Sequence, residues 1–283
     1  MRPVAALLPG NRLHLQHGPI DLIIGVDGAR EVAFAAARAR FETVLQELVK
    51  ELPLLRAPLL PGSPAPKGSI ARRMDRACRP IAQHFVTSMA AVAGSVADEV
   101  LGAMLQATTP SRAYVNNGGD ISVFLSQNEK FTMAIKAHDG RDLGRISLTS
   151  DQAVGGIATS GRHGRSHSLG IADSVTVLAR SAAEADVAAT LVANAVDLPG
   201  HPAVARKPAR HLSPDSDLGD MPVVTGCGPL SPQEKARALG AGLHRAREMQ
   251  NAGYIQAAAL FLQGEARLLG DGFATLANEK DRQ

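Results

Sequence analysis

Aromatic residues are rare in this sequence. Phe, Trp and Tyr make up 3% of its 283 residues, and tryptophan is absent. The hydrophobic core must therefore rest on Ala, Val, Leu and Ile, within an apolar content of 45%. Together with 20% charged residues, this composition is typical of a globular protein and excludes a wholly disordered chain.

Cysteine is scarce as well. Cys78 and Cys227 lie far apart and belong to no CxxC pair, which argues against a disulfide framework and a structural zinc site. Lys plus Arg (30) exceed Asp plus Glu (27) by too little to indicate nucleic acid or a membrane as a partner. The sequence shows no secretory signal, no lipobox and no uncharged stretch of the ~18 residues that span a bilayer. We therefore expect a soluble, cytoplasmic protein.

Helix and strand signals alternate irregularly along the chain. Helices are predicted over residues 31–52, 89–106, 181–196 and 232–251, the first of them ended by Pro53. Strands are predicted within 13–26, 113–125, 131–135, 145–148, 174–179, 222–225 and 254–262. Because hairpins are frequent, we expect an α+β fold with antiparallel sheet layers flanked by helices, in a single domain over residues 1–283.

Two segments stand apart by composition. Segment 56–79 carries four prolines and six Arg or Lys residues against one aspartate, a local net charge of +5. It is either a solvated surface loop or a basic rim for a phosphate-bearing ligand. Segment 199–221 is rich in Pro, His and Asp and is predicted to be a loop.

A cluster of polar residues and glycines lies between two predicted strands, at Asn116, Gly118, Gly119 and Asp120. Asn-Gly-Gly-Asp is typical of a hairpin turn whose glycines adopt positive φ. Alternatively, the bare glycines let a ligand approach the backbone while Asn116 and Asp120 form hydrogen bonds with it.

A second glycine-rich stretch spans 155–167. Its N–H groups could converge on an anion, and its side chains offer hydroxyl donors and positive charge. Phosphate or pyrophosphate is the expected guest, with a flexible surface loop as the alternative, because no Walker or GxGxxG pattern is present. The candidate ligand-binding residues are Thr159, Ser160, Gly161, Arg162, Arg165 and Ser166.

Asp186 and Thr190 are four residues apart on the helix predicted to begin at Ser181, so their oxygens share one face. A carboxylate and a hydroxyl are oxygen ligands suited to Mg²⁺, which completes its shell with water and substrate phosphates. The alternative is an acidic residue that stabilises a helix N-terminus through the helix dipole.

Taken in order, these features resemble the ApbE family, the FAD:protein FMN transferases. The resemblance covers roughly residues 84–197. It rests on Gly94 with Asp98, the Asn116–Ile121 motif, Thr159-Ser160-Gly161, Ser174–Val177, and Asp186 with Thr190.

The resemblance implies a T-fold-type ApbE architecture, Mg²⁺ held by Asp186 and Thr190, and FAD or another nucleotide coenzyme as cofactor. It also implies that Asp120 or Asp98 orients the acceptor or acts as a base, and that His167 replaces a family histidine. The chain departs from the family where Ala93 replaces a lysine, where a D-P-x-T-G motif is missing, and where segment 56–79 replaces a longer N-terminal region.

Three functions follow from this pattern. The first is a Mg²⁺-dependent enzyme that transfers FMN or cleaves the phosphoanhydride of a flavin or related coenzyme. The second is a non-catalytic flavin- or nucleotide-binding module, and the third is a structural subunit with a vestigial site. In each case the expected partner is a small-molecule ligand, with neither nucleic acid nor a membrane, and a homo-oligomer remains open.

Overall fold

The structure is a computed structural model that describes residues 3–275. Its strands are β1 (Val4–Leu8), β2 (Arg12–His17), β3 (Ile20–Asp27), β4 (Arg112–Asn117), β5 (Asp120–Leu125), β6 (Lys130–Lys136), β7 (Asp142–Thr149), β8 (Gly156–Ser160), β9 (Ser174–Ala179), β10 (Val204–Pro208), β11 (Pro222–Cys227), β12 (Ala257–Leu262), β13 (Glu265–Leu269) and β14 (Phe273–Thr275). Its α-helices are α1 (Arg30–Arg56), α2 (Ser69–Cys78), α3 (Val92–Ala107), α4 (Ala182–Ala195), α5 (Ala209–Leu212) and α6 (Pro232–Asn251).

The chain forms two compact units built from interleaved segments. The first contains the described residues up to Lys130, with Thr149–Ala158 and Ala179–Val187. The second contains Phe131–Leu148, Thr159–Leu178 and the described residues from Ala188 onward. Strand β8 and helix α4 each begin in the first unit and end in the second. The single domain expected from the sequence stays a prediction.

The first unit is built on an antiparallel sheet in the order β1-β2-β3-β4-β5, with the start of β8 paired to β5. Helices α1 and α3 contact each other, and α3 packs on β4 and β5. Their interface is lined by side chains that are at most 1% exposed, among them Leu13, Leu15, Leu22, Ile24, Phe41, Val44 and Met104.

The second unit contains the antiparallel strands β9-β12-β13, a three-stranded sheet β14-β7-β6 and the β10-β11 hairpin. Helix α6 packs on β12 and β13. Gly242 permits this approach, because a Cβ there would lie 2.3 Å from Val196 and 2.8 Å from Leu260. The α+β class with antiparallel sheets and flanking helices is confirmed.

The end of the first helix and the predicted loop 199–221 differ from the sequence prediction. Helix α1 does not stop at Pro53 but continues to Arg56, with Pro53 inside its final turn. Leu55 lies in that turn and is 1% exposed. Its burial offsets the loss of the backbone hydrogen bond that proline cannot donate. The predicted loop 199–221 likewise contains β10 and the short helix α5.

The basic segment 56–79 is also more ordered than a surface loop. Its second half forms α2, where Ile70, Met74 and Cys78 are buried at a spacing of four residues. Arg72, Arg73 and Arg76 lie between these buried positions, and their charges hide the apolar periodicity in the sequence.

The stretch Ser88–Ala107, which includes α3, is long and apolar enough by length and composition to cross a membrane. Half of it is buried inside the structure. Core helices pass the same test, and the buried Asp98 in its middle is hydrogen-bonded to the protein. We therefore describe α3 as a core helix.

Candidate functional site

The site begins where α3 meets the start of α4. A Cβ added at Gly94 would lie 2.1 Å from the carbonyl oxygen of Ala182, far inside van der Waals contact. Only glycine permits this approach of the two backbones. The glycine that carries the family resemblance thus has a packing role: it brings the N-terminal turns of two helices together.

Asp98, on α3, binds the beginning of α4. Its carboxylate accepts the N–H of Ala182 (N to Oδ1, 3.1 Å), the N–H of Ala183 (N to Oδ2, 3.0 Å) and the hydroxyl of Ser122 (2.6 Å). Burial raises the pKa of Asp98 above its usual value, and these hydrogen bonds act in the opposite direction. These hydrogen bonds show that Asp98 positions the start of α4, and its predicted role as a base stays a prediction.

Asp186, on α4, binds the beginning of α3 in return. Its Oδ2 accepts the N–H of Gly94 at 3.0 Å. Each helix therefore supplies the carboxylate that satisfies the free N–H groups at the start of the other. Burial raises the pKa of Asp186 well above its usual value, and the negative charges of Asp120 and Asp98 raise it further.

The Asn-Gly-Gly-Asp motif forms the β4–β5 hairpin. Gly118 and Gly119 have φ of 66° and 114°, and Asn116 Oδ1 accepts the N–H of Gly119 at 2.9 Å. The hairpin interpretation is confirmed. Asn117, which sequence reasoning did not single out, ties the hairpin to α3 by donating from Nδ2 to the Ala93 carbonyl at 3.1 Å.

The hairpin places Asp120 close enough to Asp186 for their charges to repel each other. Two neighbouring carboxylates are stabilised by a shared proton or by a cation. Among residues 3–275, no cluster of three or more His, Cys, Asp or Glu side chains is arranged to hold a metal. Mg²⁺ binds one or two carboxylates together with water and phosphate, and its binding by Asp186 and Thr190 stays a prediction. Thr190 lies one turn after Asp186 on α4 and is partly exposed.

The first half of the glycine-rich stretch is not the predicted loop. Residues 156–160 form β8, which pairs with β5. A Cβ at Gly155 would lie 2.4 Å from the Arg180 carbonyl oxygen, and one at Gly156 would lie 2.1 Å from the Ser181 carbonyl carbon. These glycines allow close backbone packing, so residues 156–160 are a strand and not the predicted loop, while anion binding by this stretch stays a prediction.

The second half, from Gly161 onward, forms a turn. Hydrogen bonds to other residues of the second unit hold it in place. The guanidinium of Arg162 donates to Asp173 Oδ1 from Nε (2.9 Å) and from a terminal nitrogen (2.7 Å). The Thr159 hydroxyl is bonded to that of Thr176, and His167 to Ser213 Oγ at 3.1 Å. Ser160 is partly exposed, whereas Arg165 and Ser166 are exposed. Ligand binding by these residues stays a prediction.

Helix α2 adds two residues near the site that sequence reasoning missed. Burial raises the pKa of the Cys78 thiol well above its usual value, and the charge of Asp186 contributes. Arg73 forms an ion pair with Glu99 at 3.2 Å. Its positive charge acts against the burial that raises the pKa of Asp98. The four-residue spacing of Ile70, Met74 and Cys78 was the available signal for this helix.

Known proteins resemble this chain over much of its length. A UPF0280 protein of Methanopyrus kandleri is 34% identical over 179 residues, covering 62% of this chain and 69% of that protein. A UPF0280 protein of Methanothrix thermoacetophila is 34% identical over 156 residues, covering 54% and 64%.

Solved structures show the same architecture at low sequence identity. The crystal structure of the ApbE protein of Thermotoga maritima aligns with a TM-score of 0.50 and 11% identity over 99% of both chains, a likeness of fold alone. The flavinyl transferase ApbE of Pseudomonas stutzeri, in its apo form, aligns with a TM-score of 0.43 and 14% identity over 99% of this chain and 97% of that chain. The family model described as AbpE bacteria matches residues 5–268, which confirms the ApbE resemblance. The chain therefore belongs to this family of ApbE-like bacterial proteins.

Proposed function

We propose that this protein binds a flavin or related pyrophosphate-containing coenzyme together with Mg²⁺, and that it cleaves the phosphoanhydride or transfers FMN. The observation that carries the proposal is the proximity of Asp120, at the start of β5, to Asp186 on α4. Its mutual repulsion and the raised pKa of Asp186 are relieved when a divalent cation binds. Membership of the ApbE-like family supports a flavin ligand.

The residues on α4 and beside it would have separate roles. Asp186 would hold the ion while it keeps the hydrogen bond from the Gly94 N–H, and Thr190 would add a hydroxyl oxygen. Asp120 would share the ion or accept a proton from the acceptor group. The positions of the helices and the hairpin are fixed by hydrogen bonds of Asp98, Ser122 and Asn117. When bound, Mg²⁺ would neutralise the charge that develops on the phosphate oxygens as the anhydride breaks.

Phosphate cannot use the N-termini of α3 and α4 as it does in many nucleotide sites, because Asp186 and Asp98 already accept those N–H groups. The exposed Arg165 and Ser166 remain candidates for phosphate binding within the second unit. Ala93, in place of the family lysine, removes one cation near the start of α3. This departure favours the second candidate function, a binding module without transferase activity.

FAD fluorescence titrations with and without Mg²⁺ test the proposal. Asp186→Asn keeps an oxygen for the Gly94 N–H but loses the charge, so it should abolish the Mg²⁺-dependent part of FAD binding and leave the melting temperature nearly unchanged. Asp142→Asn, at an exposed position on β7, is the matched control and should bind like the parent. Release of AMP from FAD distinguishes the enzyme from the binding module. Equal Mg²⁺-dependent binding by Asp186→Asn and the parent would refute the site.

A further inference from the structure

The basic segment 56–79 and the residues after it form a surface that the proposed coenzyme site does not use. An isolated antiparallel bridge joins Pro58 to Thr87, and the Leu59 N–H donates to the Val86 carbonyl at 2.9 Å. Leu59 and Val86 point into the core, with 7% and 3% exposure. Leu60 and Phe85, the next residues outward, are 63% and 42% exposed.

The exposed leucine is held in place. The Leu60 N–H donates to Ser63 Oγ at 2.9 Å, and the Leu60 carbonyl accepts the Ser63 N–H at 3.0 Å. Gly62, at φ of 85°, closes this turn. A terminal nitrogen of Arg79 donates to the Ser63 carbonyl at 3.3 Å, so the end of α2 is attached to the same turn. The turn that carries Leu60 is thus attached to the end of α2, and Phe85 lies across the bridge from Leu60.

The outer face of α2 is strongly cationic. Arg72 and Arg76 are exposed and one turn apart, opposite the buried Ile70, Met74 and Cys78. Together with the exposed Lys67, they form no ion pair within residues 3–275, and Arg76 donates only to the Arg72 carbonyl. The acid beside Lys67 is Glu51, whose oxygens are engaged by the N–H groups of Lys67 and Gly68 at 2.7 Å.

We propose that this surface, consisting of Leu60, Phe85, Lys67, Arg72 and Arg76, binds reversibly to an anionic lipid bilayer. Its charge is complementary to anionic headgroups, and two exposed apolar side chains beside the cations are the combination that enters the headgroup boundary. The net charge of the whole chain is only +3 and conceals this cationic surface, because the positive charge is concentrated in one segment.

Co-sedimentation of the full chain with vesicles tests the proposal. The chain should bind vesicles of phosphatidylcholine with 30% phosphatidylserine, bind pure phosphatidylcholine vesicles much more weakly, and dissociate as salt is raised. Each surface cation contributes roughly fivefold to partitioning at low salt, so Arg72→Gln with Arg76→Gln should weaken binding about 30-fold. Leu60→Ser with Phe85→Ser should weaken it at every salt concentration.

Matched controls come from α1. Val32→Ser with Val49→Ser removes two apolar residues that are 50% and 55% exposed, and Arg38→Gln with Lys50→Gln removes two exposed cations. Both control pairs should bind like the parent, and thermal melts should show that all variants are folded. Equal binding to neutral and anionic vesicles, equal losses in the control pairs, or binding to soluble polyphosphate but not to vesicles would overturn the proposal.

Discussion

The close approach at Gly94 can be tested by adding a single methyl group. In Gly94→Ala the Cβ would lie 2.1 Å from the Ala182 carbonyl oxygen and 2.8 Å from the Ala183 nitrogen, all backbone atoms that cannot rotate away. The helices must separate, which strains the hydrogen bonds from Gly94 to Asp186 and from Ala182 to Asp98. Overpacking of this kind costs about 1–3 kcal/mol, and the strained hydrogen bonds add about 1 kcal/mol each.

Alanine also favours a helix over glycine by about 1 kcal/mol, which offsets part of that cost. We therefore expect Gly94→Ala to lower the free energy of unfolding by about 2 kcal/mol or more, measured by urea denaturation. Gly102 lies on the same helix, with nothing within 4 Å of an added Cβ. Gly102→Ala should raise the free energy of unfolding by about 0.5–1 kcal/mol. Equal stability of Gly94→Ala and Gly102→Ala would refute the packing argument.

Three further predictions concern the same helices. Because the pKa of Asp186 is raised in the folded protein, its proton stabilises the fold at low pH, and this contribution is lost as pH rises through the raised pKa. Mg²⁺ affinity should accordingly fall as pH is lowered towards that pKa, and this pH dependence should vanish in Asp186→Asn. Calorimetric titration with Mg²⁺ at several pH values measures the affinity of the parent and of the variant. Asp98→Ala should destabilise the protein by about 3 kcal/mol, since it leaves the N–H groups of Ala182 and Ala183 without their acceptor, whereas Asp98→Asn should cost less in the same denaturation assay. The Ser95 hydroxyl is buried with no hydrogen-bond partner within residues 3–275. Ser95→Ala should therefore raise the free energy of unfolding by about 0.5–1 kcal/mol, which a thermal melt shows as a higher melting temperature.

Local patterns predicted the elements that depend on local chemistry. The Asn-Gly-Gly-Asp turn, helix α6 and the β9 strand are each specified by a few neighbouring residues, and each is found. The prediction that Asp186 is a metal ligand rests on its spacing to Thr190 and on the family resemblance, and it stays a prediction.

The remaining features depend on contacts between distant parts of the chain. Gly94 and Asp186 are separated by 92 positions, and nothing in either local sequence shows that each helix caps the other. Gly155 and Gly156 have the composition of a loop, yet they lie in or beside a strand because residues 180 and 181 pass too close for a side chain. The arginines of α2 hid a helix whose buried face emerges only once α1 and α3 are in place.

Anomalous diffraction from crystals grown with FAD and with Mn²⁺ in place of Mg²⁺ would locate the divalent cation that we propose Asp120 and Asp186 hold for a flavin nucleotide. This proposal predicts an anomalous peak about 2.0–2.2 Å from a carboxylate oxygen of Asp186, adjacent to Asp120 and to the coenzyme phosphates. A peak at another carboxylate, or FAD bound in full with no peak at Asp186, would contradict it.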